Sequence, residues 1–226
     1  MQNCQLSRVQ KWLEHLLTPI SKIYGKFEHI KDSSDFLVQL ETVKATASSE
    51  HWEWEKLIVF TVDVKALYPS VQIKDVATSL KHCIGHCTNW DDNIKCILID
   101  LICYTLKNQQ IKWQGLFYML CRGIATGAKH SVPLANILLS FIMLSAVEED
   151  PAFMSQLKLW VRYIDDCNGI FMGTIQEFKA WFQKLQVIFR RYSLELTCDT
   201  HSHYCVERDF IPKVEEGVTF LDMDFF

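Results

Sequence analysis

The sequence predicts an α+β fold, an antiparallel sheet with helices packed on one face. Three observations predict it. Short β-branched or aromatic runs, such as LIVFTVDV at 57–64, alternate with stretches of helical periodicity. The segments around Trp113-Gln114-Gly115 and around Asp165-Asp166 read as hairpins, which join antiparallel strands. Apolar residues make up 49% of the 226 positions and aromatics 12%, enough for a packed core rather than a disordered chain.

Residues 4–43 read as helical, with Leu13, Leu16, Leu17 and Ile20 at helical spacing and breaks at Pro19 and Gly25. Asp32-Ser33-Ser34 caps the helix that carries Phe36, Leu37 and Leu40. Residues 45–54 (ATASSEHWEW) read as a loop. Residues 57–64 are a buried strand, and 73–83 and 93–106 are helices, with Asp91-Asp92 as an N-terminal cap. QQIKWQGLFYML forms a hairpin, and a glycine-bearing loop over 123–130 leads into a long helix at 133–148. Strands at 157–163 and 168–171 flank the aspartate pair. Thr174 caps an amphipathic helix whose stripe of Phe178, Trp181, Phe182, Leu185 and Phe189 belongs to the core. Strands follow at 194–198, 204–206 and 218–225.

The formal charge of −4 and pI of about 6.1 provide no bulk attraction for nucleic acid, so any such binding falls to a local basic groove. Nine cysteines, scattered and odd in number, suit a reduced intracellular compartment, and Met1 to Gln10 lacks the layout of a secretory signal. The apolar runs at 96–106 and 132–147 fall short of the roughly 20 residues of a spanning helix, so they read as core and no membrane partner is expected.

The chemistry concentrates in carboxylates. Asp165 and Asp166 lie side by side in the strand-like run VRYIDDCNGIF, and Asp63 ends the strand LIVFTVDV about a hundred residues earlier. If that strand and the hairpin are sheet neighbours, three carboxylates converge at one edge. They repel one another unless cations sit between them, and hard oxygen ligands suit Mg²⁺ or Mn²⁺. A two-ion carboxylate site suits in-line nucleotidyl transfer. On the residues alone, a solvent-facing turn is the other reading of the Asp165-Asp166 pair.

FTVDVKALYPSV, RGIATGAKHSVPLANILL, YIDD and VTFLDMDFF occur in the order and spacing of reverse-transcriptase palm motifs A, B, C and E. The chain resembles a reverse transcriptase, an RNA-directed DNA polymerase. Through HIKDSSDFLVQLE, NQQIKWQGLFYML and FLDMDFF it looks most like the Penelope-like retroelements. The resemblance covers residues 10–226. It implies a right-hand polymerase palm over 57–226, partial helical fingers over 1–56, and no thumb within these residues. It makes Asp63, Asp165 and Asp166 the ligands of two Mg²⁺ (or Mn²⁺) ions, with the Val64 carbonyl beside them. Tyr68, five positions after Asp63, would be the gate against a ribose 2′-hydroxyl. Gly123 and Gly127 would let backbone approach nucleotide and template, with Ser131, Pro133 and Asn136 at the following helix start. Phe220, Leu221 and Asp222 would form the primer grip. An RNA template, a DNA primer and dNTPs are the implied partners, and the nucleus the implied location.

Adjacent acids separate this pattern from the B-type DNA polymerases, whose second motif spaces them. The chain departs from the family at Thr126, where methionine is usual, at Ser131-Val132-Pro133, where proline is shifted by one, and at Leu120, where glutamine is usual. These changes alter the nucleotide pocket and leave the carboxylates intact. No motif D lysine is evident. Two alternatives accompany the enzyme reading: a truncated or relic palm that binds nucleic acid or a partner without catalysis, and a template-independent nucleotidyltransferase. Two Cys/His groups, His82-Cys83 with His86-Cys87 and Cys198, His201, His203, Cys205, lack the tight spacing of a zinc site and read as surface residues and buried thiols. Trp113 and Tyr118 are expected to pack within the hairpin rather than stack on bases. Lys129 and His130 belong either at a template phosphate or in a solvated loop.

Overall fold

A computed structural model describes residues 6–25, 28–201, 218–221 and 223–225. The expected strand at 204–206, the residues His203 and Cys205, and Asp222 lie outside the described residues. Helix α1 (Ser7–Tyr24) continues through Pro19. An interior proline costs about 3 kcal/mol, and here the buried stripe of Leu13, Leu17, Ile20 and Tyr24 offsets it. Helix α2 (Ser33–Glu50) starts where expected, with the Asp32 carboxylate accepting from the Asp35 amide at 3.0 Å. It runs on over the expected loop at 45–50. Thr46 and Ser48 return their hydroxyls to carbonyls four residues back, both at 3.0 Å, and Ala47 is buried, so that segment needs no turn.

The chain continues through β1 (Leu57–Lys65), a short α3 (Leu67–Ser70), α4 (Ile73–Cys87) and α5 (Asp92–Lys107), the last capped by Asp91. Strands β2 (Gln110–Trp113) and β3 (Leu116–Met119) form the expected hairpin. Gln114 and Gly115 turn it with φ of 49° and 81°, the left-handed pair that matches strand twist. Then come α6 (Ser131–Glu149), β4 (Leu157–Tyr163), β5 (Asp166–Met172) and α7 (Ile175–Arg191), followed by β6 (Glu195–His201), β7 (Val218–Phe220) and β8 (Met223–Phe225). Thr174 and Glu177 cap α7 reciprocally through hydroxyl and carboxylate. By length and composition α6 is apolar enough to cross a membrane, with mean hydropathy 1.7, and 72% of that window is buried.

Backbone contacts divide the chain into two interleaved units. One comprises residues 1–26, 66–145 and 191–194. In it α1 and α5 pack against α4. Gly123 sits against the α3 turn: its amide donates to the Val71 carbonyl, and an added Cβ would lie 2.6 Å from the Tyr68 carbonyl oxygen. With φ at +82°, this position requires glycine twice over.

The other unit comprises residues 27–65, 146–190 and 195–226 and holds a four-stranded antiparallel sheet in the order β4-β5-β1-β6. Its register explains its packing. Phe60 of β1 lies opposite Gly169 of β5, which lies opposite Trp160 of β4. On that face α7 lays Phe178 and Trp181 against Phe60 at centroid distances of 5.0 and 5.4 Å. The alternate positions Leu159, Val161 and Ile170 point to the opposite face and pack with Phe36 of α2 and Phe220 of β7. Helices therefore cover both faces of this sheet, where the sequence reading places them on one.

Candidate functional site

Asp63 lies in direct register with Asp166 on β5 and with Thr197 on β6. The neighbours Val62 and Val64 point into the core and are buried, so alternation sends the Asp63 carboxylate to the other face. Tyr163 pairs with Asp166, which leaves Ile164 and Asp165 as a two-residue turn between β4 and β5. The sheet therefore brings Asp63 and Asp166 together and holds Asp165 at the adjacent tip. Ile164 adopts φ of +56°, a left-handed conformation that favours glycine at a hairpin turn. In a β-branched residue this costs roughly 1–3 kcal/mol and persists only where the surroundings enforce it.

Two like charges directly opposed across strands are unfavourable. The acidities follow. Burial raises the Asp63 carboxyl above its ordinary value, and the Asp165 charge raises it further. Burial again leads for Asp166, followed by the charges of Asp165 and Asp63. A cleft of about 410 Å³ opens over these groups, lined by Thr61, Val62, Asp63, Tyr163, Asp166, Cys167, Thr197, Asp199, Phe220 and Leu221. Phe220 and Leu221, expected at a primer grip, thus share one cleft with two of the three expected carboxylates.

The donors are hard oxygens crowded enough to repel, the chemistry that Mg²⁺ or Mn²⁺ relieves. Among the described residues, however, no three acidic, histidine or cysteine side chains stand close enough together to hold an ion as they lie. That includes the group His82-Cys83 with His86-Cys87; of the second Cys/His group, His203 and Cys205 lie outside the described residues. His82 and His86 approach each other at 3.2 Å and Tyr24 meets His82 at 2.6 Å, but no third ligand joins them.

The remaining expected residues belong to the first unit. Tyr68 is partly exposed in α3, and Gly127 takes φ of +82° with open space beside it. Ser131 is buried, its hydroxyl donating to the Ala125 carbonyl at 2.9 Å, and Asn136 is buried on α6. His130 does not sit in a solvated loop. It is fully buried against the Thr105 hydroxyl at 3.0 Å, and burial holds its pKa down at about 4. Trp113 and Tyr118 lie on a hairpin whose strand residues are all exposed, 61% and 46% exposed themselves, with ring centroids 6.5 Å apart.

Sequence reasoning missed Arg162 and Glu28. Arg162 is 1% exposed, and its guanidinium meets the Glu28 carboxylate at 2.8 Å and the Ile164 carbonyl at 2.9 Å. The sequence signal was present, a lone arginine inside the apolar run LWVRYI. Its partner lies 134 residues away, and no local pattern announces it.

No family model matches the sequence, and no curated protein does. Solved structures do. The fold is similar to apo telomerase from Candida tropicalis, with TM-score 0.68 and 12% identity over 95% of this chain and 40% of that one. It is similar to Candida albicans telomerase in complex with a fragment of telomeric RNA, with TM-score 0.66 and 14% identity over 91% of this chain and 37% of that one. The corresponding Candida tropicalis complex matches with TM-score 0.66 and 14% identity over 99% of this chain and 36% of that one. The chain thus spans about two fifths of the telomerase chains it matches, and what the likeness establishes is a shared α+β fold.

Proposed function

We propose that this chain is a palm of the reverse-transcriptase type, most like that of Penelope-like retroelements, and that it holds nucleic acid at the Asp63–Asp166 cleft. The observation that carries this is the register: motif A and motif C acids meet across β1 and β5, in a cleft shared with motif E residues. The fold in which they meet is also similar to that of about two fifths of a telomerase chain, a likeness that supports a reverse-transcriptase-like ancestry. A basic stretch of sequence supports the partner. Between Asp100 and Glu148 the chain has no acidic residue, but it has Lys107, Lys112, Arg122 and Lys129, all exposed, in a protein of net charge −4. Trp113, Phe117 and Tyr118 are exposed in the same stretch and offer rings for base stacking.

Two forms of this reading differ in chemistry. In the first, the palm binds nucleic acid or a partner protein without turnover. The side chains favour this form, because the three aspartates are not gathered into an ion-binding set. In the second, the chain is the core of an RNA-directed DNA polymerase acting on an RNA template, a DNA primer and dNTPs in a nuclear setting. Asp63, Asp165 and Asp166, with the Val64 carbonyl, would then hold two Mg²⁺ or Mn²⁺ ions, which supply Lewis acidity at the primer hydroxyl and the leaving pyrophosphate. Tyr68 would exclude the ribose 2′-hydroxyl, Gly127, Ser131 and Asn136 would shape the nucleotide pocket, and Phe220, Leu221 and Asp222 would seat the primer end.

Primer extension on an RNA template with dNTPs and Mg²⁺ or Mn²⁺, run beside duplex-binding measurements, separates the forms. Extension that disappears in Asp165→Asn/Asp166→Asn establishes the polymerase. Binding without extension establishes the first form. The absence of both binding and extension refutes the proposal.

A further inference from the structure

The buried Arg162–Glu28 pair has no evident value for stability alone. Ion pairs of this kind are commonly matched or bettered by apolar residues of the same shape. Its geometry suggests another use. Arg162 lies opposite Cys167 in the β4–β5 register, so it projects to the α7 side of the sheet, while Asp63 and Asp166 project to the other. From there one arm of the guanidinium reaches the Glu28 carboxylate at 2.8 Å and the second reaches the Ile164 carbonyl at 2.9 Å. Glu28 is itself anchored. Trp160 Nε1 donates to its other carboxylate oxygen at 3.2 Å. The Arg162 amide donates to the Glu28 carbonyl at 2.6 Å, and the Ile30 amide donates to the Arg162 carbonyl at 3.1 Å. The result is a rigid bracket beneath the one residue of the aspartate turn whose backbone is strained.

We infer that Arg162, braced by Glu28, is the positioning residue of the Asp165-Asp166 turn: by gripping the Ile164 carbonyl from the core side it holds the turn in its left-handed form and so fixes where the two carboxylates stand. The inference rests on the cation-binding form of the reading above for its purpose, though not for its mechanics. A planar fork with two fixed donor directions is required to bridge a carboxylate and a carbonyl at once. Lysine keeps the charge and loses the fork. Glycine at 164 adopts the same φ without strain and has less need of the bracket.

The test uses the protein without added metal and then with Mn²⁺. Arg162→Lys should keep the fold by circular dichroism. Amide exchange at residues 164–167 should speed up by about tenfold while β1 and β6 keep their protection. Mn²⁺ affinity, read by water-proton relaxation, should fall about tenfold, as for loss of other outer partners of metal ligands. In the Ile164→Gly background the same Arg162→Lys change should have a markedly smaller effect on exchange, a coupling that general loosening of the core would not produce. Unchanged protection at 164–167, uniform loosening of the whole sheet, or no coupling to position 164 overturns the inference. Should Arg162→Lys fail to fold, Glu28→Asp, which shortens the brace and keeps its charge, takes its place with the same expectations. If the unaltered protein binds no Mn²⁺ and Asp165→Asn makes no difference, the cation reading fails, and the exchange data still decide the bracket.

Discussion

Asp63 and Asp166 oppose each other across two strands with both acidities shifted upward, burial first and neighbouring carboxylates second. A carboxyl whose folded pKa exceeds its unfolded value supports the fold below that unfolded value, near 3.8, and loses that support as pH rises through the folded pKa. At neutral pH the pair therefore works against folding. Asp63→Asn should raise the melting temperature of the metal-free protein by about 1–3 °C at pH 7, the scale of a relieved cross-strand like-charge pair. That gain should vanish near pH 3.5, as a melting series shows. His130 titrates with the opposite consequence. Its folded pKa of about 4 lies below the ordinary 6.5, so stability present above 6.5 drains away as pH falls from there through about 4. His130→Gln should flatten that window in denaturant titrations at pH 7 and pH 4.5. The two carboxylates were legible in sequence because their motifs are local. The burial of His130 was not, since "AKHS" reads equally well as a solvated loop.

Among the elements, the β1–β5 pair is set by shape complementarity. The Phe60 ring occupies the space above Gly169, where a Cβ would collide with ring carbons. Gly169→Ala should destabilise by roughly 1–3 kcal/mol, the usual cost of overpacking, with Phe60→Leu in the same chain recovering part of it. Urea unfolding of the two variants checks this. Gly123→Ala should cost as much or more, because its obstacles are backbone atoms of Tyr68 and Pro69 that cannot rotate away. Caps and turns were readable from their chemistry: Asp32, Asp91, Thr174 and Gln114-Gly115 all stand where their residue types predict. Helix ends were less so. The Ala/Ser/Thr-rich 45–50 segment and the proline of α1 look like breaks in isolation, but one buried alanine and one buried apolar stripe carry the helices through.

At the scale of the molecule, a net charge of −4 coexists with an acid-free stretch of exposed lysines, arginine and aromatic rings. Binding of single-stranded RNA should weaken steeply with salt, and Trp113→Ala should remove roughly 1–3 kcal/mol of it without changing the salt slope, since stacking is lost and no phosphate contact is. Fluorescence anisotropy at two salt concentrations tests both. The sequence by itself determined the fold class, the hairpins and the three aspartates worth watching, because periodicity, turn chemistry and short motifs act over a few residues. Only the tertiary structure decided that Asp63 faces Asp166 and that helices cover both faces of the sheet. It alone placed a buried arginine, paired 134 residues upstream, beneath the aspartate turn. Strand register and long-range pairing depend on which distant segments exclude water from one another, and no local stretch of chain encodes that choice.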